Sequence, residues 1–178
     1  MQGLKMAGYS LWKMRDEDDM QESGMTVSDI YILEKCQRIE LLSRKLYEFF
    51  ADIYSDNPEI NALWLKTAAE EQNHADQFSM ALKMRKNLSI TLNIDKQKAD
   101  FVINQLLKLI EKFELTPPVI TDALSASIKL ENYLADFHLV CVASFEDNTF
   151  KKMFQAMMAG DQQHIASLQA AYDKLKGI

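Results

Sequence analysis

The sequence predicts an all-α fold: a four-helix bundle with a long helical crossover between the second and third core helices. Three observations carry this reading. Glycine and proline are scarce, with five and three residues, and the prolines sit only at 58, 117 and 118, so little interrupts helix formation. Apolar residues recur at helical spacing through four long segments. One polar pattern also occurs twice. Glu40 is followed 31 residues later by Glu71-Gln-Asn-His74, and Glu131 is followed 30 residues later by Asp161-Gln-Gln-His164.

Residues 1–26 show no sustained period, contain the acidic run Asp16-Glu17-Asp18-Asp19 and end in Glu22-Ser23-Gly24. They read as a flexible lead, with one helical domain over 27–178. The first helix starts near Ser28, a good N-cap, and runs to about Tyr54. Asn57-Pro58 reads as an N-cap followed by proline at the first helical position, opening a second helix to about Lys86. Asn87 to Ile94 is the least regular internal stretch. Asp95 then caps a helix through about Glu114. Thr116-Pro117-Pro118 opens the next long helix, ending near Phe145, and Asn148 caps the last one, which Gly177 closes. About 30 residues separate the second and third long helices, too many for a hairpin turn. A helix of about 19 residues within that gap spans roughly 28 Å, about the height of the bundle it has to climb.

Each repeated polar residue falls on the apolar stripe of its own helix. Glu40 aligns with Leu33, Cys36, Ser43, Tyr47 and Tyr54. Glu71 and His74 align with Ile60, Leu63, Thr67, Phe78 and Ala81. Glu131 and His138 align with Ile120, Leu124, Ile128, Ala135 and Val142. His164, with Asp161 on its shoulder, aligns with Phe150, Met153, Met157, Leu168, Ala171 and Leu175. All three histidines of the chain lie on these inner faces.

A buried lone carboxylate is costly unless it is paired, protonated or bound to a cation. A carboxylate-x-x-His on a helix puts its two side chains about 60° apart around the axis and about 4.5 Å along it, so both reach one ion. Two such halves, each completed by a lone carboxylate on a neighbouring helix, make a dinuclear metal site. Two divalent ions balance Glu40, Glu71, Glu131 and Asp161 with the imidazoles neutral. The candidate metal ligands are therefore Glu40, Glu71, His74, Glu131, Asp161 and His164. Mixed carboxylate and imidazole donors suit iron or manganese, with zinc chemically possible. Tyr47 and His138 each sit seven residues after a lone glutamate and read as groups that hydrogen-bond the ligands, with direct ligation by His138 in some redox state the alternative. Glu70 reads as a solvated or inter-helix residue that could substitute for Glu71. In the metal-free core the crowded acids repel one another, so some of them are expected to hold protons.

The rest of the composition narrows the partners. A formal net charge of −6 and the lack of any Lys/Arg cluster argue against a nucleic-acid partner or an anionic membrane surface. No apolar run approaches the roughly 20 residues a membrane span needs, and the amino terminus lacks a secretory apolar core. Cys36 and Cys141 lie 105 positions apart and form neither a disulfide framework nor a redox pair. A cytoplasmic protein is expected. A homodimer is the default assembly, because symmetric dimers are the commonest oligomers.

On these residues the chain resembles the ferritin-like superfamily and, within it, the rubrerythrin-like branch. The resemblance covers roughly residues 28–176. Its most specific parts are Glu40-x6-Tyr47-Glu-Phe-Phe50, Glu71-x-x-His74, Glu131-Asn-Tyr-Leu-Ala-Asp-Phe137 and Asp161-x-x-His164. It implies a non-haem centre of two iron ions that acts on peroxide or dioxygen, or oxidises ferrous iron. It also implies that Glu40, Glu71, His74, Glu131 and His164 are ligands, with Glu71 and Glu131 bridging or nearly so. Two departures stand out. Aspartate occupies position 161 where the family usually has glutamate, and the two cysteines cannot make the four-cysteine rubredoxin module of full rubrerythrins. A peroxide reductase or ferroxidase would then need a separate electron donor, such as a rubredoxin-type protein. The alternative is a non-catalytic metal-binding or iron-handling stress protein.

Overall fold

The computed structural model describes residues 24–86, 90, 92, 95–143 and 147–177. Among these residues the chain forms five helices: α1 (Val27–Ile53), α2 (Pro58–Lys83), α3 (Lys96–Leu115), α4 (Ile120–Ala143) and α5 (Asn148–Lys176). No described helix is long and apolar enough to cross a membrane. Most of the expected flexible lead, residues 1–23, lies outside the described residues, as do the expected end of α4 at Phe145 and most of Asn87–Ile94. Residues 24–26 are pinned rather than loose, since Met25 N donates to Arg85 O at 2.9 Å and its side chain packs on the core.

Local chemistry sets the helix ends. Asn57 caps α2 through Ile60 N with Pro58 at the first turn, Asp95 caps α3 through Gln97 N, and Gly177 closes α5 in the left-handed region at φ 72°. Two caps differ from the expectation. Thr26, not Ser28, opens α1: its hydroxyl accepts from Asp29 N at 3.1 Å while Asp29 Oδ2 accepts from Thr26 N at 3.1 Å. This reciprocal pair satisfies two otherwise orphaned donors, which serine two residues later could not do. Asp147, not Asn148, opens α5, and Oδ1 accepts from Thr149 N and Phe150 N.

The helices run up and down. The start of α1 meets the end of α2 through Met25, and its end meets the start of α2 where Asn61 Nδ2 donates to Ala51 O at 2.8 Å. α3 climbs parallel to α1, held low by Tyr31 and Lys35 on Asp100 and high by Lys45 on Glu114. It is the predicted crossover. At the far end Lys174 of α5 reaches Glu59 of α2. Leu175, expected on the inner stripe of α5, is 44% exposed, because the stripe has run past the last core layer by that turn.

The interior falls into two apolar clusters. One lies toward the start of α1, around Leu33, Cys36, Phe78, Phe137 and Phe154; the other lies toward its end, around Tyr47, Phe50, Trp64, Leu124 and Leu168. Between them is a buried polar layer. Above it Tyr47 stacks on Trp64 with ring centroids 5.5 Å apart, and Trp64 packs on Phe50 at 4.9 Å. These large rings fix the upper wall of the layer.

The α1 end is tied to the α4 entry by Tyr54, whose hydroxyl donates to Pro118 O at 2.7 Å. Burial, aided by Asp122, pushes this phenol from 10.0 up to about 12. A phenol raised in the folded state contributes stability fully below pH 10 and loses it as pH climbs toward 12. Tyr54→Phe is expected to cost about 1 kcal/mol at pH 7, measured by urea unfolding, from loss of the hydrogen bond. Between pH 10 and 12 the variant's deficit should shrink, because the wild type loses that contribution there.

Candidate metal centre

Helical periodicity brings the predicted residues together from four helices. Glu40 comes from α1, Glu71 and His74 from α2, Glu131 and His138 from α4, and Asp161 and His164 from α5. Each is at most 5% exposed. A surface cleft of about 800 Å³ between α3 and α4 contains none of them. The candidate chemistry is therefore inside the bundle.

Two sets of donor atoms converge there. Glu40, Glu71 and His74 form one, and Glu71, Glu131 and His164 the other, with the donor atoms of each set within 4.8 Å of one another. Glu71 belongs to both, and its two oxygens divide between them. Oε2 lies 3.6 Å from His74 Nδ1, and Oε1 lies 3.3 Å from His164 Nδ1. Glu40 Oε2 is 3.5 Å from His74 Nδ1, and Glu131 Oε2 is 3.5 Å from His164 Nδ1. The two sets thus face each other across one carboxylate.

The oxygens turned away from these sets are held by protein groups. Tyr47 donates its hydroxyl to Glu131 Oε1. His138 fills the opposite side, with Nε2 2.7 Å from Glu40 Oε1 and Nδ1 2.9 Å from Asp161 Oδ2. Asp161 lies beside the cluster, with Oδ1 3.7 Å from His74 Nδ1, yet it belongs to neither donor set. The shorter aspartate and the hydrogen bond to His138 account for that position. Glu70 is an inter-helix residue: its carboxylate, 30% exposed, meets His164 Nε2. Only its adjacency to Glu71 hinted at this in the sequence.

The donor set fits metal ions. Glu40 Oε2, Glu71 Oε1, His74 Nδ1 and both ring nitrogens of His164 are among the buried polar atoms without a hydrogen bond among the described residues. Buried polar atoms are rarely left so. Four donors arranged tetrahedrally about 2.1 Å from an ion stand about 3.4 Å from each other, close to the 3.3–3.6 Å separations within the two sets.

Without metal, protons do part of that work. Burial disfavours a charged imidazole, but Glu40 and Glu71 outweigh it and raise His74 from 6.5 to about 10. Burial likewise opposes His164, while Glu131 and Glu71 raise it to about 11. His138 also rises well above its usual value, because Glu40 and Asp161 outweigh burial. Glu40 moves the other way: burial would raise it, yet His138 and His74 hold it down at about 2. Glu131 is raised by burial and by the Glu71 charge. The expectation that crowded acids hold protons thus fits Glu131 but not Glu40, whose neighbouring imidazoles carry them instead.

A family model described as Rubrerythrin matches residues 31–172. No curated protein and no solved structure matches the chain.

These shifts set a pH window for the metal-free protein. The raised His74 and His164 contribute stability fully present below pH 6.5 and lost as pH climbs toward 10–11. The depressed Glu40 contributes stability present above pH 4.5 and lost as pH falls toward 2. Chelator-treated protein should therefore melt highest between about pH 4.5 and 6.5 and progressively lower up to pH 10. Divalent metal must expel the imidazole protons, so its affinity should rise from pH 6 to 8 with measurable proton release by calorimetry in buffers of different ionisation enthalpy. An affinity independent of pH contradicts this electrostatic picture.

Proposed function

Because the chain belongs to the rubrerythrin family, we propose that it is a non-haem dinuclear iron protein acting on peroxide or dioxygen, or oxidising ferrous iron. One observation carries the reading most: two carboxylate–imidazole donor sets that share Glu71. Glu40 and His74 would hold one ion, Glu131 and His164 the other, with Glu71 between them. Iron bound there would supply the electrons for reducing peroxide or dioxygen, and in ferrous oxidation those same oxidants would take up the electrons that ferrous ions lose.

The chain's own residues do the positioning. Tyr47 donates to Glu131 Oε1 and so leaves Oε2 as the oxygen turned toward His164. Glu70 stands against His164 Nε2 while Nδ1 faces the donor sets. Phe78, Phe137 and Phe154 on one side and Trp64 and Phe50 on the other flank the layer with apolar rings. In such surroundings fixed charges act more strongly than in water. Sustained turnover on peroxide requires an external donor, for which a rubredoxin-type protein is the proposed partner.

A second reading is a metal-binding or iron-handling protein without turnover. It draws on Asp161, which stands outside both donor sets with one oxygen taken by His138.

Anaerobic titration with ferrous ion is expected to saturate at about two irons per chain. Peroxide should then produce a ferric near-ultraviolet absorption band. Stoichiometric binding with no spectral response to peroxide or air favours the second reading. Glu131→Ala should abolish the second equivalent and about half of the metal-dependent rise in Tm. For the wild type that rise corresponds to about 2.7 kcal/mol for each site at a hundredfold excess over Kd. Unchanged loading and stabilisation in Glu131→Ala contradicts the assignment.

A further inference from the structure

We propose that the seam between α2 and α5 is the route by which divalent cations reach the buried layer, with Glu70 as the carboxylate that receives them and Gly160 as the bare wall that leaves the way past His74 open. The route rests on the dinuclear reading above and adds to it where ions cross the wall of the bundle.

Apolar rings close the layer above and below. Tyr47, Phe50 and Trp64 cover it toward the end of α1, and Phe78, Phe137 and Phe154 toward its start. Glu40, Glu71, Glu131, His138 and Asp161 are at most 1% exposed, whereas His74 and His164, at 5% and 2%, are the least covered groups of the layer. Both stand at the seam. There α2 and α5 pack on each other less closely than α1 on α2 or α4 on α5. Toward the end of α5 the seam widens into a groove of about 390 Å³, lined by Leu63 and Lys66 of α2 and by Ser167 and Ala171 of α5.

The two imidazoles turn the same way. Each directs Nδ1 toward the donor sets, His74 to Glu40 and Glu71, His164 to Glu71 and Glu131. Each directs Nε2 toward the seam. Against His164 Nε2 stands the Glu70 carboxylate, 30% exposed, which therefore meets both solvent and the wall of the site. Against His74 Nε2 stands Gly160, where an added Cβ would lie 3.5 Å from that nitrogen, an ordinary contact. Neither backbone nor space demands glycine here: Gly160 lies inside α5 without a positive φ. Glycine within a helix is less stable than alanine, so the consequence of the missing methyl group is an uncovered His74. A carboxylate at the mouth of a narrow entrance raises the local cation concentration and the association rate. Lys66 Nζ, 3.9 Å from Glu70, moderates that charge without closing on it.

Stopped-flow uptake of cobalt(II) by the chelator-treated full chain tests the route without recourse to activity. Glu70→Gln should lower the association rate about three- to tenfold at low ionic strength, and the loss should shrink as salt is added. A carboxylate that merely stabilised the bound ion would instead leave association unchanged and speed release. Asp136→Asn, which removes an exposed charge from α4, should leave the rate as it is. Gly160→Ala should slow uptake and release alike, by about threefold or more, because a methyl group narrows the path while the donor atoms stay in place. Its Tm should equal or exceed that of the wild type. In the metal-free chain the ring C2 hydrogens of His74 and His164 should exchange with deuterated solvent faster than that of His138, and Gly160→Ala should slow His74. Unchanged association in Glu70→Gln, unchanged uptake in Gly160→Ala, or exchange at His138 as fast as at His74 overturns the route and leaves the dinuclear reading standing. A wild-type chain that takes up no cobalt overturns both.

Discussion

Four carboxylates and three imidazoles share one buried layer of this bundle, and the rest of the structure answers to the cost of putting them there. Isolated charges in such an interior are expensive, so each must meet a partner of opposite sign or a metal. The partners are present in near balance. Glu40, Glu71, Glu131 and Asp161 face His74, His138 and His164, and every imidazole lies within 4 Å of at least two carboxylates. Protonated imidazoles can hold the layer together in the metal-free chain. Two divalent ions in place of those protons would neutralise the same carboxylates. The layer is a structural core whose carboxylate and imidazole groups could hold metal.

The fold around it makes that exchange feasible. Long helices carry the candidate ligands on rigid backbones, and the donor pair on α2, Glu71 and His74, lies within one turn. Apolar clusters above and below the layer keep water out and limit side-chain rotation, with Trp64, Tyr47 and Phe50 on one side and Phe78, Phe137 and Phe154 on the other. α3 spans the bundle beside α1 and contributes none of the buried polar groups of the layer. Its task is to return the chain to the opposite end, so that α4 can present Glu131 and His138 with the required direction.

Much of this was legible in the sequence because it depends on short-range rules. The 3.6-residue period placed Glu40, Glu71, His74, Glu131, Asp161 and His164 on inner faces, and the structure buries all six. Asn57-Pro58, Asp95 and Gly177 marked helix ends through their own backbone chemistry. At the starts of α1 and α5 several capping residues stand in a row, and the choice between Thr26 and Ser28, or Asp147 and Asn148, depends on which side chain reaches the free amides. What the sequence could not show depends on how helices meet. The Glu70 contact to His164, the insertion of His138 between Glu40 and Asp161, and the exclusion of Asp161 from both donor sets come from side-chain directions across α1, α2, α4 and α5. Proton placement follows the same contacts, which is why Glu40 goes down while Glu131 goes up.

The central claim is that this polar layer is a dinuclear metal centre organised around Glu71. Anomalous diffraction at the iron edge, from crystals grown after anaerobic ferrous loading, addresses it most directly. The account predicts two anomalous peaks inside the bundle, about 3.5–4 Å apart, one beside Glu40 and His74 and the other beside Glu131 and His164, with the Glu71 carboxylate between them. A loaded crystal with a single peak away from Glu71, or with none in the layer, would contradict it.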